Sequence, residues 1–405
     1  LEFYDFVVFV FFAIPLSQLF FPHDTAPWLA QLQVFGIFAA GYLARPLGGI
    51  VMAHYGDKLG RKRMFTLSVF LMAVPTLGIG LLPTHAQIGM LAPLLLLLLR
   101  VVQGIAVGGE VPGAWVFVAE HVPAKRIGFA CASLTSGLTV GILIGSLVAA
   151  AINSRMTPAE VLDHGWRLPF LAGGVFGFFA VWLRRWLSET PVFEAMHARK
   201  ELASGLPLRL VFERHLPSVL LSMLVTWMLT AAIVVMILMT PTLAQSVFHI
   251  EPARAFLGNS VASFALALGC LFYGWLTDRV GHARALLVGA IGLLLCSYVL
   301  YFDLQAGGAH FVVLYALAGF SVGVTGVVPT LMVLALPPAV RFSGLSFSYN
   351  IAYALFGGLT PPLIGLLVRR FGVLAPAHYV AFTALIGIGV AGWSIATSRD
   401  APRRA

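Results

Sequence analysis

Every thirty or so residues this chain presents another run of about twenty apolar side chains, and that recurrence constrains its fold more than any single motif does. A helix rising about 1.5 Å per residue needs roughly 20 residues to cross about 30 Å of hydrocarbon. Twelve such spans can be read, at about 3–22, 29–53, 64–83, 89–119, 127–152, 167–187, 216–245, 254–276, 285–302, 310–336, 343–368 and 375–397. With 60% hydrophobic residues and a mean hydropathy of +0.94, the chain is too apolar to stay in water as a folded domain. The expected fold class is therefore an all-α polytopic membrane protein of twelve transmembrane helices in two pseudo-symmetric six-helix bundles.

The one long polar stretch, SETPVFEAMHARKELASGLPLRLVFERH, falls between spans six and seven. It predicts an N-terminal bundle over 1–187, a cytosolic linker over 188–215 and a C-terminal bundle over 216–405. Orientation follows from the cations. With both termini in the cytosol, 18 of the 25 Lys and Arg face inward and five outward, as the inside-positive bias requires of a bacterial inner membrane. The net charge of +9 is split among short clusters between spans, which argues against a nucleic-acid partner. Cys131, Cys270 and Cys296 sit in apolar spans without paired spacing, so neither a disulfide framework nor a metal site is expected, and no cofactor is implied. The chain opens on Leu1 rather than Met, and residues before it are expected.

Two loops repeat. AHYGDKLGRKR at 53–63 follows span two, and GWLTDRVGHAR at 274–284 follows span eight, the second span of the other half. Asp57 aligns with Asp278, Lys58 with Arg279, Gly60 with Gly281 and Arg63 with Arg284. An acid in such a turn can sit against helix N-termini and a cation of the facing half. Asp57, Arg61, Lys62, Asp278 and Arg279 are accordingly expected to gate the cytosolic side. A plain topology anchor is the other reading. Matched halves of this kind suit a carrier that rocks about a central site, with a small molecule and the bilayer as its partners. No nucleophile with its base, metal set or phosphate loop points to an enzyme. A monomer is expected.

The first loop resembles the G-x-L-x-D-R/K-x-G-R-R/K signature of the major facilitator superfamily, departing from it at Ala53. The second copy has His282 and Ala283 in place of the basic pair. YLARPLGG at 42–49, RVVQGIAVGGE at 100–110, GWRLPFL at 165–171, SETPVF at 188–193 and RFSGLSFSYNIAYALFGGLTPP at 341–362 resemble the metabolite:proton symporter family in particular. LEFYDF at 1–6 matches that family's acidic start of helix one, with Glu2 and Asp5 at the acidic positions. The resemblance implies proton-coupled alternating access. Members of that family carry citrate, oxoglutarate and other organic acids, shikimate, or proline and betaine. The leading expectation is symport of a di- or tricarboxylate; the alternatives are uptake of a zwitterionic osmolyte such as proline or betaine, or an exporter of the same fold.

Candidate site residues follow from polarity inside the spans. Arg100 lies about 17 Å into span four at about 1.5 Å per residue, with Gln103 and Gly104 on its helical face. It is expected either to bind a substrate carboxylate or to be satisfied by a neighbouring helix. Arg45, before Pro46, is closer to the cytosolic end of its span, where its stem can snorkel, and a gating role is expected. Asp5 and Glu110 are the acids placed to exchange protons, with Asp5 near the cytosolic end of span one; Glu120 reads as part of the latch near Lys125 and Arg126. Tyr349 and Tyr353, four apart, and Asn350 beside them put hydroxyl and amide groups into an apolar helix and are expected to line the cavity. Trp115, Trp227 and Tyr315 read as packing residues or cavity walls, and Gly137, Gly141 and Gly145 as close helix packing.

Overall fold

Hydrocarbon offers the backbone no hydrogen-bond partner, so each apolar run must satisfy its own N–H and C=O groups, which a helix does within the segment. A computed structural model of the chain describes residues 2–22, 24–49, 51, 61–108, 111–184, 211 and 213–400. Twelve spans are seen among them. α1 is Glu2–Phe11 and Ala13–Phe20; α2 is Pro27–Leu43, with a further helical stretch over 45–49; α3 is Arg61–Leu81; and α4 is Leu91–Val107 and Val111–His121. α5 is Ile127–Arg155 and α6 Arg167–Arg184. In the second half, α7 is Leu216–Ile233, Val234–Met239 and Thr240–Ser246, α8 Pro252–Val280 and α9 His282–Gln305. α10 is Phe311–Val322, Gly323–Gly326 and Val328–Ala335; α11 is Pro338–Ala352, Tyr353–Gly357 and Gly358–Phe371; α12 is Ala375–Asp400. Asp57, Glu110 and most of the expected linker lie outside the described residues.

The two halves pack by the same rule. α1 meets α5, α2 meets α4, and α3 meets both α4 and α6; correspondingly α7 meets α11, α8 meets α10, and α9 meets both α10 and α12. Across the middle, α5 runs against α8 and α2 against α11, two pairs that exchange under the internal repeat. Leu94, Leu98, Val288, Leu295, Phe382 and Trp393 point outward, the exposed apolar surface a bilayer covers.

Several spans are not the uninterrupted helices the hydropathy suggests. α1 bends by 67° between its two pieces. α7 loosens to π geometry over Val234–Met239, and α10 tightens to a 3-10 turn over Gly323–Gly326. The α10 turn sits where Gly323 meets the backbone of Gly269 on α8, closer than a Cβ permits. Single-turn departures of this kind concentrate at functional sites. At the loop between α8 and α9, Gly281 adopts φ +90° and joins the two helices by itself, a conformation closed to most side chains.

Candidate functional site

At the meeting of the halves lies a cavity of about 30 Å³, room for roughly two waters. Four aromatic rings contribute to its wall: Phe3 of α1, Trp115 of α4, and Tyr349 and Tyr353 of α11. Hydroxyls come from Thr135 and Thr139, one turn apart on α5, and from Thr325 in the 3-10 turn of α10. Leu229 and Ile233 of α7 complete the far side, so the interrupted helices α1, α4, α7 and α10 all reach the cavity. Among the described residues, no charged side chain lines it.

The aromatic wall continues into the protein. Trp115 stands edge-on to Tyr349 at 5.0 Å, Tyr349 lies 4.8 Å from Tyr353, and Tyr353 stacks on Tyr42 of α2 at 5.4 Å and 12°. Phe38, one turn before Tyr42, follows at 4.7 Å. Two buried cations flank this column, Arg45 beside its middle rings and Arg100 at its Phe38 end. The Arg45 guanidinium lies 4.3 Å from the Tyr353 ring centre and 5.4 Å from those of Tyr42 and Tyr349. Arg100 lies 4.3 Å from the Phe9 ring and 5.3 Å from Phe38.

Arg45 does not snorkel: it is 0% exposed, because α11 lays two tyrosines over the place where its head group would have met water. Arg100 is also 0% exposed, and its position in the first half of α4 is set by small residues: a Cβ at Gly104 would strike the Gly41 carbonyl, so α2 and α4 touch backbone to backbone. Its Nη1 donates to Gln103 Oε1 at 2.7 Å, and Gln103 Nε2 donates to Thr76 Oγ1 at 2.8 Å. Arg100 and Gln103 thus share a face as their spacing suggests, but they face the interior of the first half and not the cavity.

Asp5 is 2% exposed and sits near the same polar chain, since a Cβ on Gly173 would meet Asp5 Oδ1 together with the Thr76 methyl at 3.2 Å. Its depth differs from expectation. A Cβ on Gly141, halfway along α5, would lie 3.0 Å from the Tyr4 nitrogen, which puts Asp5 near mid-membrane and not at the end of the bundle. Tyr349 and Tyr353 line the cavity as expected, whereas Asn350 does not: its Nδ2 donates to the Gly108 carbonyl at 2.7 Å and ties α11 to α4.

At the end of α8, the Asp278 carboxylate accepts the Gly128 and Phe129 amides at 2.8 and 3.0 Å. That contact crosses from α8 to the first turn of α5, where an anion is favoured. Arg279 lies over Trp275 of its own helix at 5.3 Å. The side chains of Arg61, Lys62 and Glu120 lie outside the described residues. Gly141 and Gly145 pack against α1, while Gly137 faces open space. Trp227 stacks on Phe356 at 4.2 Å and donates to Tyr379, a packing role. Thr135, Thr139 and Thr325 were missed, although two threonines one turn apart in an apolar helix carry the same signal as the tyrosine pair.

Comparison with known proteins agrees with this architecture. The Major Facilitator Superfamily profile matches residues 3–347. A putative proline/betaine transporter of Staphylococcus aureus (strain COL) is 32% identical over 399 residues, spanning 96% of this chain and 84% of that protein. The glycine betaine/proline/ectoine/pipecolic acid transporter OusA of Dickeya dadantii (strain 3937) is 30% identical over 404 residues, spanning 96% of this chain and 79% of its own. The proton:xylose symporter XylE bound to 6-bromo-6-deoxy-D-glucose shares the fold at a TM-score of 0.75 and 16% identity, over 97% of this chain and 92% of its own.

Proposed function

The chain belongs to the major facilitator superfamily and is a transporter, and from that premise we propose that it takes up a small zwitterion of the proline or betaine type together with protons. The expected di- or tricarboxylate gives way to its alternative. The observation that carries this reading is the cavity wall, with four aromatic rings, three threonine hydroxyls and, among the described residues, no charged side chain. Aromatic faces stabilise a desolvated ammonium, most of all a quaternary one, by about 0.5–2 kcal/mol per contact. A polycarboxylate would call for several cations at the wall, and Arg100 is turned away from it onto Gln103. The relatives named for proline and betaine support the same choice.

Proton coupling is assigned to Asp5, a carboxyl buried at mid-membrane beside the Thr76, Gln103 and Arg100 chain. Gating is assigned to the two acid-bearing loops, on the strength of Asp278 bridging α8 to α5. The two bundles, 1–187 and 216–405, would rock about the cavity in a bacterial inner membrane, with the 188–215 linker and both termini cytosolic in keeping with the inward cation bias.

Proteoliposomes under an inward proton gradient test the whole reading. Labelled glycine betaine or proline is expected to accumulate and to be released by an uncoupler. Trp115→Leu should weaken apparent betaine affinity by about 2- to 30-fold, the equivalent of one lost ring. Asp5→Asn should keep betaine exchange while losing accumulation. Accumulation of oxoglutarate or citrate, with proline and betaine excluded, would overturn the substrate class.

A further inference from the structure

Arg45 poses a problem that the gating assignment leaves unsolved. Its side chain is completely buried, and Nε, Nη1 and Nη2 all lack a hydrogen-bond partner among the described residues. A planar fork of five N–H donors is thereby held at membrane depth against the rings of Tyr42, Tyr349 and Tyr353, with the Tyr349 hydroxyl close enough to act on it but without hydrogen-bond geometry. Cation–π contact offsets part of the desolvation, but it satisfies none of the donors. The backbone leaves Arg45 little freedom to leave this place, because Gly108 of α4 presses on its carbonyl and Asn350 of α11 grips the Gly108 carbonyl in turn. Two of the three rings in front of the fork, Tyr349 and Tyr353, are themselves cavity wall. One layer of aromatic side chain therefore separates a buried cation, without a hydrogen bond to any described residue, from the space assigned to the substrate.

Resting on the zwitterion reading, we propose that Arg45 is the carboxylate-binding residue of the transport site. The ligand's ammonium lies against Trp115 and Phe3, and its carboxylate passes between Tyr349 and Tyr353 to meet the Arg45 fork when those rings part. The geometry suits a carboxylate because its two oxygens match the planar fork in a bidentate pair. It also gives the aromatic cage a means of distinguishing a betaine from a simple ammonium alcohol, which offers no anion to the fork.

Binding of glycine betaine and of choline to the purified protein in nanodiscs tests the assignment, because the two probes share a trimethylammonium group and only betaine has a carboxylate. The wild-type protein should prefer betaine. In Arg45→Gln, betaine affinity should fall by about 10- to 100-fold, the loss of a charge-assisted hydrogen-bond pair, while choline affinity stays as it was. Arg45→Lys keeps the charge without the fork and should fall between the two, so the proposal stays testable if the glutamine variant fails to fold. A betaine-to-choline ratio unchanged in either variant overturns the proposal, and a lowered melting temperature alongside it makes Arg45 a structural clamp between α2 and α11. Wild-type protein that binds citrate and neither of these probes, and loses citrate in Arg45→Lys, overturns the zwitterion reading and leaves the carboxylate assignment standing.

Discussion

Along the seam of α5 and α8, Gly128, Ala132, Ser136 and Ser146 meet Asp278, Gly274, Ala267 and Ser260, small or hydrogen-bonding side chains from end to end. Along the seam of α2 and α11, Trp28, Ala39, Tyr42 and Arg45 meet Arg369, Gly358, Tyr353 and Tyr349. The repeat relates α2 to α8 and α5 to α11, so the two seams are copies of one antiparallel crossing. Their chemistry has diverged. The first is joined by hydrogen bonds that fix register: Ser146 Oγ with the Phe256 carbonyl and Ser260, Asn259 with Ser146, and Tyr315 donating to Asn259 at 2.6 Å. The second holds rings, whose contacts tolerate sliding, and a buried cation. Directional bonds suit a hinge that keeps its partners, and face-to-face rings suit a wall that must open onto a ligand.

The largest effect should come from crowding the hydrogen-bonded seam. A Cβ on Gly274 would collide with the Ala132 methyl and lie 3.1 Å from the Gly128 carbonyl, with backbone on both sides and nothing to yield. Gly274→Val is therefore expected to cost at least the upper part of the usual overpacking range of about 1–3 kcal/mol, read as lost melting temperature and yield. On the other seam, a Cβ on Gly365 meets only the tip of Leu32 at 3.6 Å, and Gly365→Val should be nearly silent. Equal losses in the two variants would erase the distinction between the seams.

A smaller effect is expected where the network loses one member. Asn259→Ala removes the acceptor of the Tyr315 hydroxyl, which keeps a long 3.4 Å contact to the Ile237 carbonyl, while Ser146 retains Phe256 and Ser260. With most groups still satisfied, the cost should be about 1 kcal/mol. Tyr353→Phe, which leaves the ring column of the second seam in place, should not lower the melting temperature. Its consequence should fall on transport. A stable Asn259→Ala paired with an unstable Tyr353→Phe would invert the roles given to the seams.

The spans were legible because hydrocarbon thickness sets their length and every backbone group must be paired within them. The breaks were not, since the π segment of α7 and the 3-10 turn of α10 answer to neighbouring helices; Gly323 looks like any other glycine until Gly269 is brought against it. Tyr349 and Tyr353 could be found from their spacing, which is local. Arg45 was misjudged because its distance from the end of its own span says nothing of the two rings that α11 lays over it. For Arg100 the spacing to Gln103 was legible, while the continuation through Thr76 on α3 was not, being a contact between residues far apart in sequence.

The smallest effect belongs to the end of the aromatic seam farthest from Arg45. There Arg369 lies 3.7 Å from the Trp28 ring centre, and Trp28 is 44% exposed, so water competes for the cation throughout. An exposed cation–π pair is worth about 0.5–1 kcal/mol, too little for Arg369→Gln to move the melting temperature far. The pair nonetheless joins α2 of one half to α11 of the other, and it can stabilise only arrangements in which that end of the seam is shut. Its loss should therefore shift the population toward the open end by about 2- to 5-fold, the factor that such an energy allows. A cysteine placed at Leu32, one turn further along the same seam, reports this as faster modification by a membrane-impermeant thiol reagent in the Arg369→Gln background. No acceleration there would mean that the ring contact rides on a seam closed by other forces, leaving the aromatic column around Tyr42 and Tyr353 to hold it alone.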